Sequence, residues 1–256
     1  MSNELKSAYK ALTADQQALI ESRRITGQGS PDEWLELLIP VAQFESDAAR
    51  VRDEGGFFAR RYARRHSMPD GFRAFTLDLL PTLREDHDPD APMTVSLDFS
   101  GTETEEKLTH TSEPYQHGAY RKIVDSFYED PLVEVRARFA DGADVHLSVT
   151  DHLRATKKTK KSASGKTKTK TKHKCQATLE VEVTFPAKLY NAGTQPSGVQ
   201  AAAVKEKVKA RDNKTVVRLS RSVPGSAADG SLGLQELIDL LGAAYGRVEP
   251  GRRKKL

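Results

Sequence analysis

Val133-Glu134-Val135-Arg136-Ala137-Arg138-Phe139 places an apolar side chain at every second position; Ala140-Asp141-Gly142 follows, and Val145-His146-Leu147-Ser148-Val149 resumes the alternation. A two-residue period is the signature of a half-buried strand, and a short Gly-containing break between two such runs is hairpin chemistry. Thr178–Phe185 alternates in the same way, as do the segments around Val208 and Val216–Leu219, joined by Asp212-Asn213. Upstream, Met93–Phe99 and Lys107–Thr111 read as two more strands, and Tyr120, Ile123, Val124 and Phe127 form a short helical stripe. Leu232, Leu234, Leu237, Ile238, Leu240 and Leu241 make the apolar face of a closing helix. Hairpins in series with a terminal helix predict an antiparallel sheet in an α+β fold.

Residues 1–85 follow a different period and are expected to be almost all helix. Thr13-Ala14-Asp15-Gln16 has capping-box spacing, and Ser30-Pro31-Asp32-Glu33 combines a capping hydroxyl, Pro at the first helical position and acids at the positive dipole end. Trp34, Leu35, Leu37, Leu38, Val41 and Phe44 follow at helical spacing; Pro40 is expected to kink or split this helix, and Gly55-Gly56 to end it. Phe58 with Tyr62, and the stretch Phe72, Phe75, Leu77, Leu80, suggest two more helices. Glu85-Asp86-His87-Asp88-Pro89-Asp90 has no apolar residue, and 86–90 reads as an acidic linker. The expected organisation is a helical region (1–85), that linker, an antiparallel β-rich α+β domain (91–250) with a basic arm (153–175), and a basic tail (251–256).

A chain of 256 residues with 37% hydrophobic content is long enough to bury a core, and its apolar residues come in periodic blocks. Cys175 stands alone, so no internal disulfide forms and a reducing, cytoplasmic setting is expected. Met1–Lys6 lacks the character of a secretory signal, and no run approaches the ~20 apolar residues of a membrane span. No membrane partner is expected.

The net charge of +4 conceals a strong asymmetry. Residues 1–152 carry 17 Lys and Arg against 28 Asp and Glu, a balance of −11, whereas residues 153–222 carry 18 against 4, a balance of +14. Such an imbalance suggests a polyanion or a charged partner surface. Its source is the arm: Lys157, Lys158, Lys160 and Lys161 before the turn at Ser162–Gly165, and Lys166, Lys168, Lys170, Lys172 and Lys174 after it. Both flanks run into strands, so one long hairpin with a projecting tip is expected. Lys-Thr alternation would put Lys168, Lys170, Lys172 and Lys174 on one face, ~6.6 Å apart, and Thr167, Thr169, Thr171 and His173 on the other. A row of ammonium groups at that pitch can follow a phosphate backbone. Lysine is a point-charge donor, which implies affinity without sequence readout. Three other readings compete: a disordered loop, a lysine-guarded sheet edge, and an arm that docks on the acidic half of a neighbouring copy.

A second basic cluster, Arg60, Arg61, Arg64 and Arg65, lies beside Phe58 and Tyr62, with arginines paired at i, i+4 on a helix. It would grip phosphates and stack on bases, or else bury its rings and pair with local acids. The tail Arg252-Arg253-Lys254-Lys255 would add nonspecific attraction.

Signals for chemistry are weak. Gly165-Lys166-Thr167 mimics the end of a phosphate-binding loop, but the glycine needed five residues earlier is Lys160. Asp98 with Glu105-Glu106-Lys107 has the loose outline of a metal-dependent nuclease, in which carboxylates would hold Mg²⁺ and the lysine would stabilise developing charge. The His residues show no zinc spacing, and Cys175, though near the lysines, has no partner base in sequence. The expectation is a non-enzymatic α+β protein without a cofactor that binds nucleic acid, DNA or RNA, through a lysine-rich β-hairpin. A homo-oligomeric assembly subunit with the same arm on an acidic protein surface is the first alternative, and a metal-dependent nuclease the second.

Overall fold

A computed structural model describes residues 2–161, 166–193, 204–230 and 234–251. The turn expected at 162–165, Leu232 and the tail at 252–256 lie outside the described residues. Local start signals act as their chemistry dictates. Thr13 and Ser30 each cap a helix with a complete capping box, opening α2 (Ala14–Ser22) after α1 (Ser2–Ala11) and opening α3 (Pro31–Glu54). Pro40 does not split α3, which runs unbroken through it. Gly55 ends α3 by turning to extended backbone while its N–H donates to the Val51 carbonyl, and glycine is needed there because a Cβ would lie 2.4 Å from that carbonyl. Next come α4 (Phe57–His66) and α5 (Asp70–Ala74), the latter continuing through a π-helical turn (Phe75–Leu79) into α6 (Leu80–Asp86).

The region expected to be helical also holds a strand, β1 (Arg24–Gly29). Two glycines and a single Ile hide it from a periodicity reading; antiparallel pairing with β2 (Met93–Asp98) makes it a strand. The strands β3 (Leu108–Thr111), β4 (Tyr115–His117) and β5 (Tyr120–Arg138) follow. The helical stripe expected at Tyr120–Phe127 is therefore the first half of β5. It pairs with β6 (Asp144–Lys161) through Lys122↔Thr159 and onward, and ladder partners on both sides override the local 3.6-residue spacing. Pro131 is tolerated there because the register shifts between Pro131 and Val133. The Ala140–Gly142 turn stands where expected, with Gly142 at φ +83. Then come β7 (Thr167–Pro186), β8 (Tyr190–Ala192), β9 (Val204–Arg211), β10 (Lys214–Pro224), α7 (Leu234–Tyr245) and β11 (Val248–Pro250), which pairs with β8.

The large sheet is antiparallel, in the order β1-β2-β5-β6-β7-β10-β9, with β3 and β4 also on β5. One face carries Val95, Leu97, Val135, Val145, Leu147, Val181, Val183, Val217 and Leu219, all buried. They share one hydrophobic core with Trp34, Leu38, Phe44, Phe72, Leu80 and Leu240 from the helices. Each such side chain contributes roughly 1.5–3 kcal/mol when buried, so this shared core outweighs caps worth ~1 kcal/mol in holding helices to sheet. Trp34 Nε1 also donates to the Met93 carbonyl at 3.1 Å. His87, expected in an exposed linker, is only 7% exposed and bridges to Phe139, and burial holds its imidazole below the usual pKa. The opposite face, with Thr94, Ser96, Arg136, His146, Ser148, Glu182 and Arg218, is polar, as expected of an antiparallel sheet covered on one side only.

Candidate nucleic-acid interface

Strands β6 and β7 pair without a register break from Asp144↔Thr184 to Lys161↔Thr167. They do not stand alone: β5 accompanies β6 as far as Lys122↔Thr159, and β4 flanks β5 through Tyr115↔Ile123. Beyond Gln176, where β10 stops pairing, the outer edge of β7 has no strand neighbour among the described residues.

The register divides the lysines by face. Lys160 lies opposite Lys168 and Lys158 opposite Lys170, and Lys172 and Lys174 continue the row opposite Thr156 and Arg154. These residues lie on the polar face of the sheet. Lys157 and Lys161 fall on the other face, opposite Thr171 and Thr167, and Lys166 directly precedes β7. The threonine face is turned towards the body at its root, where His173 Nε2 lies 3.1 Å from Glu103 Oε1; nearer the tip the Thr159 and Thr169 hydroxyls meet across the ladder at 3.3 Å. Lys168, Lys170, Lys172 and Lys174 are all exposed, and among the described residues none has an ion pair. Lys158 and Lys160 lean over the Tyr120 ring, 5.5 and 5.9 Å from its centroid.

A knot of polar groups stiffens the root of this region. Asp125, 3% exposed, accepts from Arg154 Nη2 at 2.6 Å, Thr156 Oγ1 at 2.5 Å and Tyr115 Oη at 2.9 Å, tying β4, β5 and β6 together. The Arg154 guanidinium, opposed by burial and helped by the two hydroxyls, pulls the Asp125 carboxyl from 3.8 to about 2. Asp125→Ala is expected to cost on the order of 2 kcal/mol near neutral pH, read by thermal unfolding. Because the folded pKa is depressed, that stabilisation is present above ~3.8 and disappears as pH falls through ~2. An equal cost at pH 2 would assign the effect to packing rather than to the carboxylate.

The second basic cluster lies in the helical layer, where α4 packs on α1 and α3, and not on the arm. The helix packs through Ala59, Ala63 and a half-buried Tyr62 stacked on His66 at 4.3 Å, while Phe57 and Phe58 are 74% and 81% exposed and meet edge-to-face at 5.5 Å. Arg60 donates to the Asp53 carbonyl at 2.8 Å, and none of Arg60, Arg61, Arg64 and Arg65 forms an ion pair among the described residues.

The sequence outline at Asp98 becomes a buried ion cluster. Lys107, 5% exposed at its side chain, places Nζ 3.1 Å from Asp98 Oδ1 and 2.6 Å from Asp130 Oδ1. Asp130 was not legible, because it sits in the middle of β5, remote in sequence from Asp98. Burial raises the Asp130 pKa, only partly offset by Lys107 and Thr102; burial would also raise Asp98, but hydrogen bonds from Ser100 and Lys107 hold it low. Glu106 is drawn away to Arg24 at 3.0 Å. No group of three or more His, Cys, Asp or Glu side chains is placed to hold a metal among the described residues. Cys175 is pushed up in pKa by burial and by nearby Asp151, so the lysines do not make it a reactive thiolate. A cleft of about 450 Å³ between α6 and α7 is lined by Leu83, Phe139, Leu147, Ile238 and Leu241; its Asp141 already accepts from Tyr190 and Tyr245, at 2.7 and 2.8 Å.

The chain matches no protein-family model, no curated protein and no solved structure.

Proposed function

We propose that this protein binds nucleic acid, without sequence preference, through the lysine face of the β6–β7 hairpin. One observation carries the reading: lysines stand directly opposite lysines, Lys158 to Lys170 and Lys160 to Lys168, in line with Lys172 and Lys174. Like charges across a ladder are destabilising, and Asp125, the nearest carboxylate on that face of β5, is consumed by Arg154. A phosphate backbone relieves that repulsion and releases its own counterions. The Phe57–Arg65 surface of α4 is the subsidiary site, offering rings for stacking beside guanidinium groups.

The Asp98–Lys107–Asp130 cluster is read as a structural clamp, since a buried ammonium already occupies the space between its carboxylates. The test joins both points. Chromatography at low and high salt, with the 260/280 absorbance ratio recorded, should show co-purifying nucleic acid that high salt strips away. Salt-sensitive self-association without nucleic acid would instead support an arm docked on the acidic half of a second copy. Asp98→Ala should leave affinity for labelled DNA and RNA within about twofold, and Mg²⁺ or Mn²⁺ should produce no cleavage; turnover abolished by Asp98→Ala would make the protein an enzyme.

A further inference from the structure

We infer that the nucleic-acid track does not end at the arm but continues across the polar face of the sheet to a second basic row on the edge strand β9, so that one phosphodiester chain engages both. This rests on the reading of the arm given above. In β9, Lys205, Lys207, Lys209 and Arg211 alternate with Glu206, Val208 and Ala210. The register is unbroken: Lys205 faces Ser220 and through it Glu180, Lys207 faces Arg218 and Glu182, Lys209 faces Val216 and Thr184, and Arg211 faces Lys214 and Pro186. Even-numbered β7 residues from Lys168 to Pro186 share one side of the sheet, so the β9 row and the arm row lie on the same side.

The charges along this face support one path. The β9 end presents Lys205, Lys207, Lys209, Arg211, Lys214 and Arg218 against Glu180 and Glu182, six cations less two acids, a balance of +4. Both carboxylates are held by Arg218, Glu180 at 3.6 Å and Glu182 at 2.6 Å. Lys205, Lys207, Lys209 and Arg211 are exposed and have no ion pair among the described residues. The other face of β9 is spent differently, for Glu206 pairs with Arg247. Between the two rows, Gln176 and Thr178 on β7 and Ser222 and Pro224 on β10 carry no charge, so the stretch that joins them holds no acid beyond the Glu180 and Glu182 paired with Arg218.

Dimensions follow from the register. From Lys168 to the level of Arg211 is 18 residues along β7, ~60 Å at ~3.3 Å per residue, with a sideways step of two strands, ~10 Å. At ~3.4 Å per base pair, that span matches ~18 base pairs. Edge lysines also discourage strand addition, but that role predicts no dependence on ligand length.

The test compares duplex DNA of ~24 base pairs, long enough to cover the span, with a hairpin-closed duplex of ~8 base pairs, which reaches one row only. The variant carries Lys205→Ser, Lys207→Ser, Lys209→Ser and Arg211→Ser. For the long duplex, its log K against log salt slope should shrink by up to ~3.6, at ~0.9 per phosphate contact, with affinity at low salt at least tenfold weaker. Arm binding of the short duplex should change by less than about twofold. On the unaltered protein, the long duplex should shield Lys205, Lys207 and Lys209 from amine acetylation together with Lys168–Lys174. A variant that binds the long duplex as well as the native chain, or shielding confined to the arm, would overturn the inference and leave the arm reading intact. Failure of the native chain to bind either duplex would overturn both.

Discussion

Replacing Lys168, Lys170, Lys172 and Lys174 together with Ala is expected to weaken nucleic-acid binding roughly a hundredfold at low salt, equally for every base sequence. Each lost phosphate contact removes ~0.9 from the slope of log K against log salt on duplex DNA and ~0.7 on single strands, so four contacts remove ~3 or more. The variant should fold normally, because all four side chains are exposed and Ala keeps the backbone ladder with β6. Removing them even relieves the repulsion from Lys158 and Lys160. Replacing Thr167, Thr169 and Thr171 with Ser should change affinity by less than about twofold, since that face turns towards the Glu103 side of the root. Equal losses from the two faces would contradict a faced hairpin, and an unchanged salt slope would remove the arm from the binding site. If the lysine variant loses self-association instead, the arm serves assembly.

Glu45→Gln is expected to stabilise the protein at pH 8 and to flatten its stability between pH 5 and 8. Glu45 lies inside α3 with no measurable exposure, accepts from the Met68 backbone N–H at 2.5 Å, and finds Arg52 only at 3.8 Å. Burial lifts its carboxyl from 4.5 to about 7, opposed by the Met68 hydrogen bond and Arg52. Folding therefore favours the protonated form. Stability is full below ~4.5 and declines as pH rises through ~7, by an amount on the order of 3 kcal/mol, an upper bound at ~1.4 kcal/mol per pKa unit. The Gln amide keeps an acceptor for Met68 and carries no charge, so the variant loses this decline. Thermal unfolding of both proteins at pH 5 and pH 8 reads it directly. A native chain as stable at pH 8 as at pH 5, with Gln giving no gain, would show that Arg52 compensates the buried carboxylate in full.

The two clusters that shape the candidate site differ in how far the chain's order reveals them. The arm row was legible because strand period and charge coincide: Lys-Thr alternation can put its lysines only on one side of a pleat. The β9 row has the same alternation, but its orientation relative to the arm depends on β10 standing between β9 and β7, which no local pattern carries. Asp130 and Asp98 are likewise joined only by the pairing of β2 with β5 and by Lys107 reaching between them.

By itself the sequence determined the local, short-range choices: the capped starts of α2 and α3, the Gly142 turn, the alternating strands β2, β6, β7 and β10, and the charge divided between the two parts of the chain. These depend on hydrogen bonds and side-chain periods within a few residues, so they survive without tertiary context. Tertiary structure alone decided that Arg24–Gly29 is a strand, that Tyr120–Phe127 joins β5 rather than a helix, and that Pro40 leaves α3 unbroken. It also decided that His87 is buried. In each case the local preference is worth a fraction of a kcal/mol to a few kcal/mol. Ladder hydrogen bonds and burial in a core shared by helices and sheet exceed it, and they depend on residues that the chain brings together from far apart.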